Sequence, residues 1–444
     1  MATGGKTDSG NICWLPGDPP NGRMTAFTET LRDSLDMAIG IVTTVPFSHA
    51  TPAAFAAHNP DRENYTEDAA EPGTPGIAEE MVLEFRPDVL IGAGHPAWDN
   101  PHWVPSEGYI SREMLRDLRR GIEGIVFLER VPGLRATAAL SLAGSFLDPD
   151  DGRSLFALYG GSGSCFEPWQ LLDGGQVCRA TVENPTLAEA GLVALEILSR
   201  NEQGFFLVIE QGDIDWASHR NNICWLIGSV YDLEQAVAAL CSRLAEGCDA
   251  DLGNTVVLVT ADHECGGLEV ANESTLATGL VPDMAGTPDS SWCPGGEVFF
   301  HSSEHTNAPV RLYACGPAAA IAVLDSLEGS YPSPSQGCLD NTQVCEFFEM
   351  VLLERRLARN GILIIGDGMG TGAEDAASLF LHGRLDALFW QDQKVFPFSC
   401  LCATWDIDAY NARASMLGLP LYSPEEFDPL VGSDLLSLGP GESM

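Results

Sequence analysis

Several short runs of uniformly apolar residues punctuate the chain, and each runs into acidic or histidine residues. They are FFLVIEQGDID (205–215), VVLVTADHECGG (256–267) and GILIIGDGMG (361–370). Their length and lack of polar alternation predict strands buried on both faces. Between them lie amphipathic patterns of helical period, PTLAEAGLVALEILSRNEQG (185–204) and SVYDLEQAVAALCSRLAEG (229–247). Strands alternating with helices predict an α/β three-layer sandwich around a central, mostly parallel sheet. In such sheets ligands gather at the carboxyl ends of the strands, which is where these acidic and histidine residues fall. The segment LDNTQVCEFFEMVLLERRLARN (339–360) predicts one long helix, capped by Asp340 or Asn341, that runs into the strand at 361. After residue 403 the pattern weakens into a stretch rich in Pro, Gly and Ser, which predicts a surface excursion. No linker divides the chain, so the expectation is one catalytic domain over 1–444 with surface insertions.

Composition narrows the partners. At 444 residues and 45% hydrophobic, the chain can bury a full core. Its apolar runs are strand-sized, so a soluble protein without membrane spans is expected. MATGGKTDSG at the start has no basic stretch followed by an apolar run, so no cleavable signal is predicted there. Acidic residues outnumber basic ones 63 to 23, a formal charge of −40. That field repels nucleic acid and anionic membrane surfaces. It serves solubility alone, or it suits a salt-rich, halophilic habitat where counterions screen the self-repulsion. The 13 cysteines are scattered, with only Cys400 and Cys402 close together, and most are expected to be buried thiols. One or two disulfides would be compatible with export.

Candidate chemistry sits in four clusters. Asp215 and His219 are four residues apart in DIDWASH, so on a helix they share a face, and a carboxylate beside an imidazole suits zinc. Asp262 and His263 follow VVLVTA directly and can serve one site only where the strand has ended. Asp367 lies between glycines in GDGMG, where the backbone can turn sharply and approach an ion or phosphate. His305 sits in SSEHTNAPV, ahead of another apolar strand. Taken singly, these are a surface ion pair, a turn Asp beside a capping His, a strand-to-helix turn and a polar loop. Their joint occurrence is not so readily explained.

Together the motifs resemble the alkaline phosphatase family. IIGDGMG, IEQGDIDWASH, VTADHECGG and SSEHTNAPV look like its four metal signatures. FSHATPAAFAAHNPDR (47–62) is similar to its segment bearing a magnesium-ligand threonine and a phosphate-binding arginine. MATGGKTDSGNI (1–12) resembles the helix that follows its nucleophile. The order departs from the family: GDGMG comes last here rather than near the start, as in a circular permutation with its seam near 340–360. The resemblance implies hydrolysis of phosphate monoesters, with inorganic phosphate as product, by an exported homodimer using two zinc ions and one magnesium. By the same likeness Asp215, His219 and His305 would hold one zinc, and Asp262, His263 and Asp367 the second. Asp367, Thr51 and Glu210 would hold the magnesium, with His49 tuning it. Arg62 would clamp phosphate, and Trp216 would shape specificity.

The nucleophile position departs most. The family carries it in an Asp-Ser-Ala motif seven residues before a methionine that here corresponds to both Met1 and Met444. Counting back from Met444 gives Ser437, in LLSLGPGESM, without the preceding Asp. Ser9 in TDSG falls after the nucleophile in this register. Two alternatives to the monoesterase follow. One is a phosphodiesterase, sulfatase or phosphosugar mutase on the same metal core. The other is a non-catalytic phosphate- or metal-binding protein whose seam removed the nucleophile segment.

Overall fold

The computed structural model describes residues 1–66, 75–96, 108–161, 165–166, 169–247, 250–281, 296–327, 338–391 and 399–404. Ten strands form one sheet: β1 (Ala38–Pro46), β2 (Val89–Ala93), β3 (Ile125–Glu129), β4 (Ser154–Leu158), β5 (Phe205–Gln211), β6 (Thr255–Thr260), β7 (Val310–Cys315), β8 (Cys338–Asp340), β9 (Asn360–Gly366) and β10 (Ser399–Thr404). Their spatial order is β8-β10-β7-β6-β9-β5-β1-β2-β4-β3. Only β7 runs antiparallel to its neighbours β6 and β10; every other pairing is parallel. The apolar runs at 205, 256 and 361 are therefore the three central strands, buried along their whole length.

Helices cover both faces, as expected for a sheet whose central strands have no polar side. On one face α1 (Leu187–Leu198) packs against α2 (Ile223–Ala245), which also meets α3 (Thr371–His382). Thr186 caps the first of these by accepting the backbone N–H of Glu189 at 3.1 Å, and Glu189 returns a bond to the Thr186 N–H at 2.9 Å. On the other face Phe27 and Phe348 pack on Phe206 of β5, with ring centroids 5.4 and 4.9 Å away.

Two sequence expectations need correction. The helix Ile223–Ala245 has 23 residues and a window of mean hydropathy 1.3, long and apolar enough to cross a membrane. The expectation of strand-sized apolar runs missed it. With 67% of that window buried, it serves as a core helix of the sandwich. The long helix expected over 339–360 is shorter, and of the two expected capping residues Asp340 makes the bond. Residues 338–340 are strand β8, the helix covers Thr342–Phe348, and Glu349–Glu354 widens into a π turn. Asp340, held by Lys6 at 3.1 Å, accepts the Thr342 N–H at 2.9 Å, whereas the Asn341 side chain makes no cap bond. Pairing of 338–340 with β10 is a tertiary contact that helical periodicity does not encode.

Candidate metal centre and phosphate site

Sheet order decides which loops meet. Because β6, β9, β5 and β1 are adjacent and parallel, the residues after their carboxyl ends line up on one edge. These are Asp262 and His263 after β6, Asp367 after β9, Asp215 and His219 after β5, and His49 and Thr51 after β1. Glu210, on β5 itself, is in register with Thr43 of β1 and Ile365 of β9. Strand β7 runs the other way, so its entering loop, which carries His305, reaches this same edge. The sequence spacing thus becomes a single cluster.

Asp215 is its hub. It lies on the seven-residue helix Asp213–His219, one turn before His219, and is 6% exposed. His219 Nε2 is 3.3 Å from Asp215 Oδ2, and His305 Nε2 is 3.3 Å from Oδ1. The two Nε2 atoms face each other at 3.1 Å. His219 Nδ1 lies 2.5 Å from the Ser303 carbonyl, to which it must donate, so Nε2 is the atom turned to the cluster. On the other side His263 Nε2 lies 3.4 Å from Asp367 Oδ1 and 3.5 Å from Asp262 Oδ2. The His263 and His305 rings stack with centroids 3.7 Å apart. Asp262 Oδ1 accepts the N–H of Gly368 at 3.2 Å, which fastens the β6 turn to the GDGMG turn. Gly368 itself has φ +71°, and a Cβ there would stand 2.8 Å from the Asp215 Cα. Only glycine lets that turn lie against the hub.

Among the described residues, two groups of side chains present atoms mutually within 4.8 Å: Asp215, His219, Cys265 and His305 in one, and Asp215, His263 and Asp367 in the other. Asp215 belongs to both. Asp262 borders the second group through His263. Glu210 is 1% exposed, with the hydroxyls of Thr43 and Thr51 directed at its carboxylate and no hydrogen bond on Oε1. Asp215 Oδ1 likewise makes no well-oriented hydrogen bond.

The electrostatics show a cluster rich in negative charge. Burial, with Asp262 and Asp215 adding to it, pushes Glu210 up to about 8. Burial and the carboxylates of Asp262, Asp215 and Glu210 likewise raise Asp367 well above the usual range. Burial works against the charged form of Asp215 too, but the imidazoles of His219 and His305 hold it well below the ordinary value. Burial opposes a charge on His219, yet Asp215 outweighs it and lifts the group to about 9. Carboxylates this close cannot all ionise unless cations enter among them. Aspartate oxygens and imidazole nitrogens suit zinc, and the oxygen donors Asp367, Glu210 and Thr51 suit magnesium.

Beside this cluster lie Arg62 and Trp216, expected to clamp phosphate and shape specificity, and His49, expected to tune the magnesium and border the substrate. Arg62 donates through an Nη to His49 Nε2 at 3.4 Å, and the Trp216 ring meets the His49 ring edge-on at 5.9 Å. Burial first, and then the Arg62 guanidinium, pushes His49 down to about 3, so it is neutral and can accept that bond. Ser437 lies outside the described residues.

Sequence reasoning passed over Cys265 and Glu264. The Glu264–Cys265 pair forms a two-residue antiparallel ribbon with His305–Thr306. Glu264 accepts from the Gly267 N–H at 2.9 Å and from the Thr306 hydroxyl, which holds the ribbon shut. The only sequence signal was a cysteine two places after His263, too little to choose between a core thiol and a ligand.

The fold and site define an α/β sandwich with a candidate metal cluster at the carboxyl edge of its sheet. The chain is similar to alkaline phosphatases: the family model described as alkaline phosphatase matches residues 29–105 and 172–291. It is 32% identical over 304 residues to alkaline phosphatase of Escherichia fergusonii, a match covering 65% of this chain and 61% of that one. It is 26% identical over 331 residues to the human tissue-nonspecific alkaline phosphatase, covering 69% and 57%. The chain spans about three fifths of the length of these relatives. Its fold is also that of the cold-active alkaline phosphatase from a psychrophilic Shewanella, with TM-score 0.54, 21% identity, and 80% and 84% of the two chains covered.

Proposed function

We propose that the protein hydrolyses phosphate monoesters at the Asp215-centred cluster. The observation that carries this reading is the shared hub, a single carboxylate facing two separate donor groups beside an arginine. Asp215, His219 and His305 would hold one zinc, and Asp367, His263 and Asp262 a second. Asp367, Thr51 and Glu210 would hold a magnesium. When bound, a pair of divalent ions supplies Lewis acidity to the attacking and leaving oxygens of an in-line displacement.

The chain's own groups do the rest. Arg62 offers two parallel N–H donors to the non-bridging phosphate oxygens, where negative charge builds in the transition state. Neutral His49 takes one Arg62 N–H and so fixes the direction of the fork. Trp216 braces His49 and borders the leaving group, which makes it the residue that shapes substrate preference. Ser437 is the candidate nucleophile: its hydroxyl would lose a proton, attack phosphorus and release the alcohol, and water would then free the phosphate.

The order of motifs fits a circularly permuted chain with its seam near 340–360. Supporting this, β9 comes late in the sequence yet lies at the centre of the sheet between β5 and β6, and the family-model match ends at residue 291, before the GDGMG turn. A single catalytic domain that pairs as a homodimer completes the reading.

A chromogenic monoester assayed with zinc and magnesium tests it. Turnover abolished by chelator and restored by the ions supports the hydrolase. Tight phosphate binding without turnover supports the binding-protein alternative instead. Preference for a diester or sulfate ester would move the activity to the other reactions this core could host. Unchanged turnover in Ser437→Ala would remove that serine from the mechanism.

A further inference from the structure

Cys265 has no role in the chemistry above, yet its position is as constrained as that of the proposed ligands. Its register partner across the two-strand ribbon is His305. Residues directly opposite in an antiparallel pair project from the same face, with Cβ atoms about 5 Å apart. The ribbon is pinned on both sides. The Cys265 N–H donates to the Gly368 carbonyl at 3.1 Å, in the turn that carries Asp367, and the Gly266 N–H donates to the Glu304 carbonyl at 3.0 Å, next to His305. These bonds fix the backbone at Cys265, and so the point from which its side chain projects toward His305.

The sulfur faces a set of donors that is one short of a tetrahedron. Its Sγ, an Asp215 carboxylate oxygen and the ring nitrogens of His219 and His305 all lie within 4.8 Å of one another, and Cys265 is 2% exposed. Asp215 Oδ1 is buried without a well-oriented hydrogen bond, and the two Nε2 atoms point at each other across 3.1 Å. One oxygen, two nitrogens and one sulfur around a common point match the ligand chemistry of zinc, which favours four donors in tetrahedral array.

We propose that Cys265 supplies a thiolate as the fourth ligand of the divalent ion held by Asp215, His219 and His305. On coordination the S–H bond is lost and its proton passes to solvent; no electrons are transferred. Sulfur in the fourth position makes the site prefer thiophilic ions such as zinc, cobalt and cadmium over hard ones such as magnesium. It also means that an entering phosphate oxygen must add as a fifth ligand or displace the sulfur. The inference rests on the cluster being a metal centre, as proposed above.

The test uses the full chain stripped of metal and titrated with cobalt(II). The expected result is a near-ultraviolet sulfur-to-cobalt charge-transfer absorption in the wild type. In Cys265→Ser that absorption vanishes while the visible bands of bound cobalt persist, and zinc affinity at the tightest site falls more than about tenfold. Zinc-edge X-ray absorption of the zinc-loaded wild type needs no variant, and should show a sulfur scatterer at about 2.3 Å. Bound metal with no sulfur shell, or with a charge-transfer band unchanged in Cys265→Ser, overturns the thiolate ligand and leaves the hydrolase reading intact. A chain that binds no divalent ion overturns both.

Discussion

Strand β9 has a buried polar residue at each end, and the two ends are built in opposite ways. At its start Asn360, 2% exposed, is wholly engaged. Its side chain donates to Asn254 at 2.9 Å and to Thr255 at 3.1 Å, and accepts the Phe205 N–H at 3.3 Å. Every group in that knot is neutral. Seven residues on, Asp367 is 5% exposed and sits among Asp215, Asp262 and Glu210, with Asp215 Oδ1 and Glu210 Oε1 making no well-oriented hydrogen bond. Burial is the same at both ends, so burial alone does not explain the difference. One end is a neutral network that fastens the sheet. The other gathers carboxyls that burial and neighbouring carboxylates hold protonated, Glu210 and Asp367 among them, and cations entering there would take the place of those protons.

Experiments can break this contrast. The largest effect belongs to the shared hub: Asp215→Ala should lower turnover by on the order of a thousandfold and cut bound zinc, measured by metal analysis of the purified variant. Retained activity with full metal content would dissolve the distinction between the two ends. Next, Arg62→Ala should cost about a hundredfold in kcat/KM for a monoester and weaken inhibition by inorganic phosphate, while leaving metal content unchanged.

A third experiment asks whether a buried carboxyl on the site side can be satisfied by the protein itself. Glu374, on the helix that leaves the GDGMG turn, accepts from Trp390 Nε1 at 2.9 Å and Tyr313 Oη at 3.3 Å, with Arg311 3.3 Å away. Burial nonetheless pushes it from an ordinary 4.5 up to about 7, because Arg311 is divided among Glu374, Asp375 and Asp386. The native state then holds a proton that the unfolded chain has released, so stability falls as pH rises from 4.5 to about 7 and is flat above. Glu374→Gln should erase that slope, worth about 3 kcal/mol, in thermal midpoints recorded across this range. The smallest effect is at the quiet end. Asn360→Ala should cost roughly 1 kcal/mol of stability by stranding its partners and leave kcat and metal content unchanged. A loss of activity there would mean that the two ends are coupled.

The sequence by itself determined the elements and the types of residue at their ends. Apolar runs at 205, 256 and 361 could only be strands covered on both faces, and the four-residue spacing of Asp215 and His219 put them on one side of a helix. Those are local properties, carried by periodicity and backbone chemistry over a few residues. What the tertiary structure decided was adjacency. The insertion of β9 between β5 and β6 made Asp215 common to two donor groups, and the reversal of β7 delivered His305 from an entering loop. A two-residue ribbon turned Cys265 toward the same point, while pairing of 338–340 with β10 cut short a helix the pattern had promised. Each of these depends on contacts between residues tens to hundreds of positions apart. Such contacts follow from how the sheet as a whole buries its faces, which no window along the chain contains.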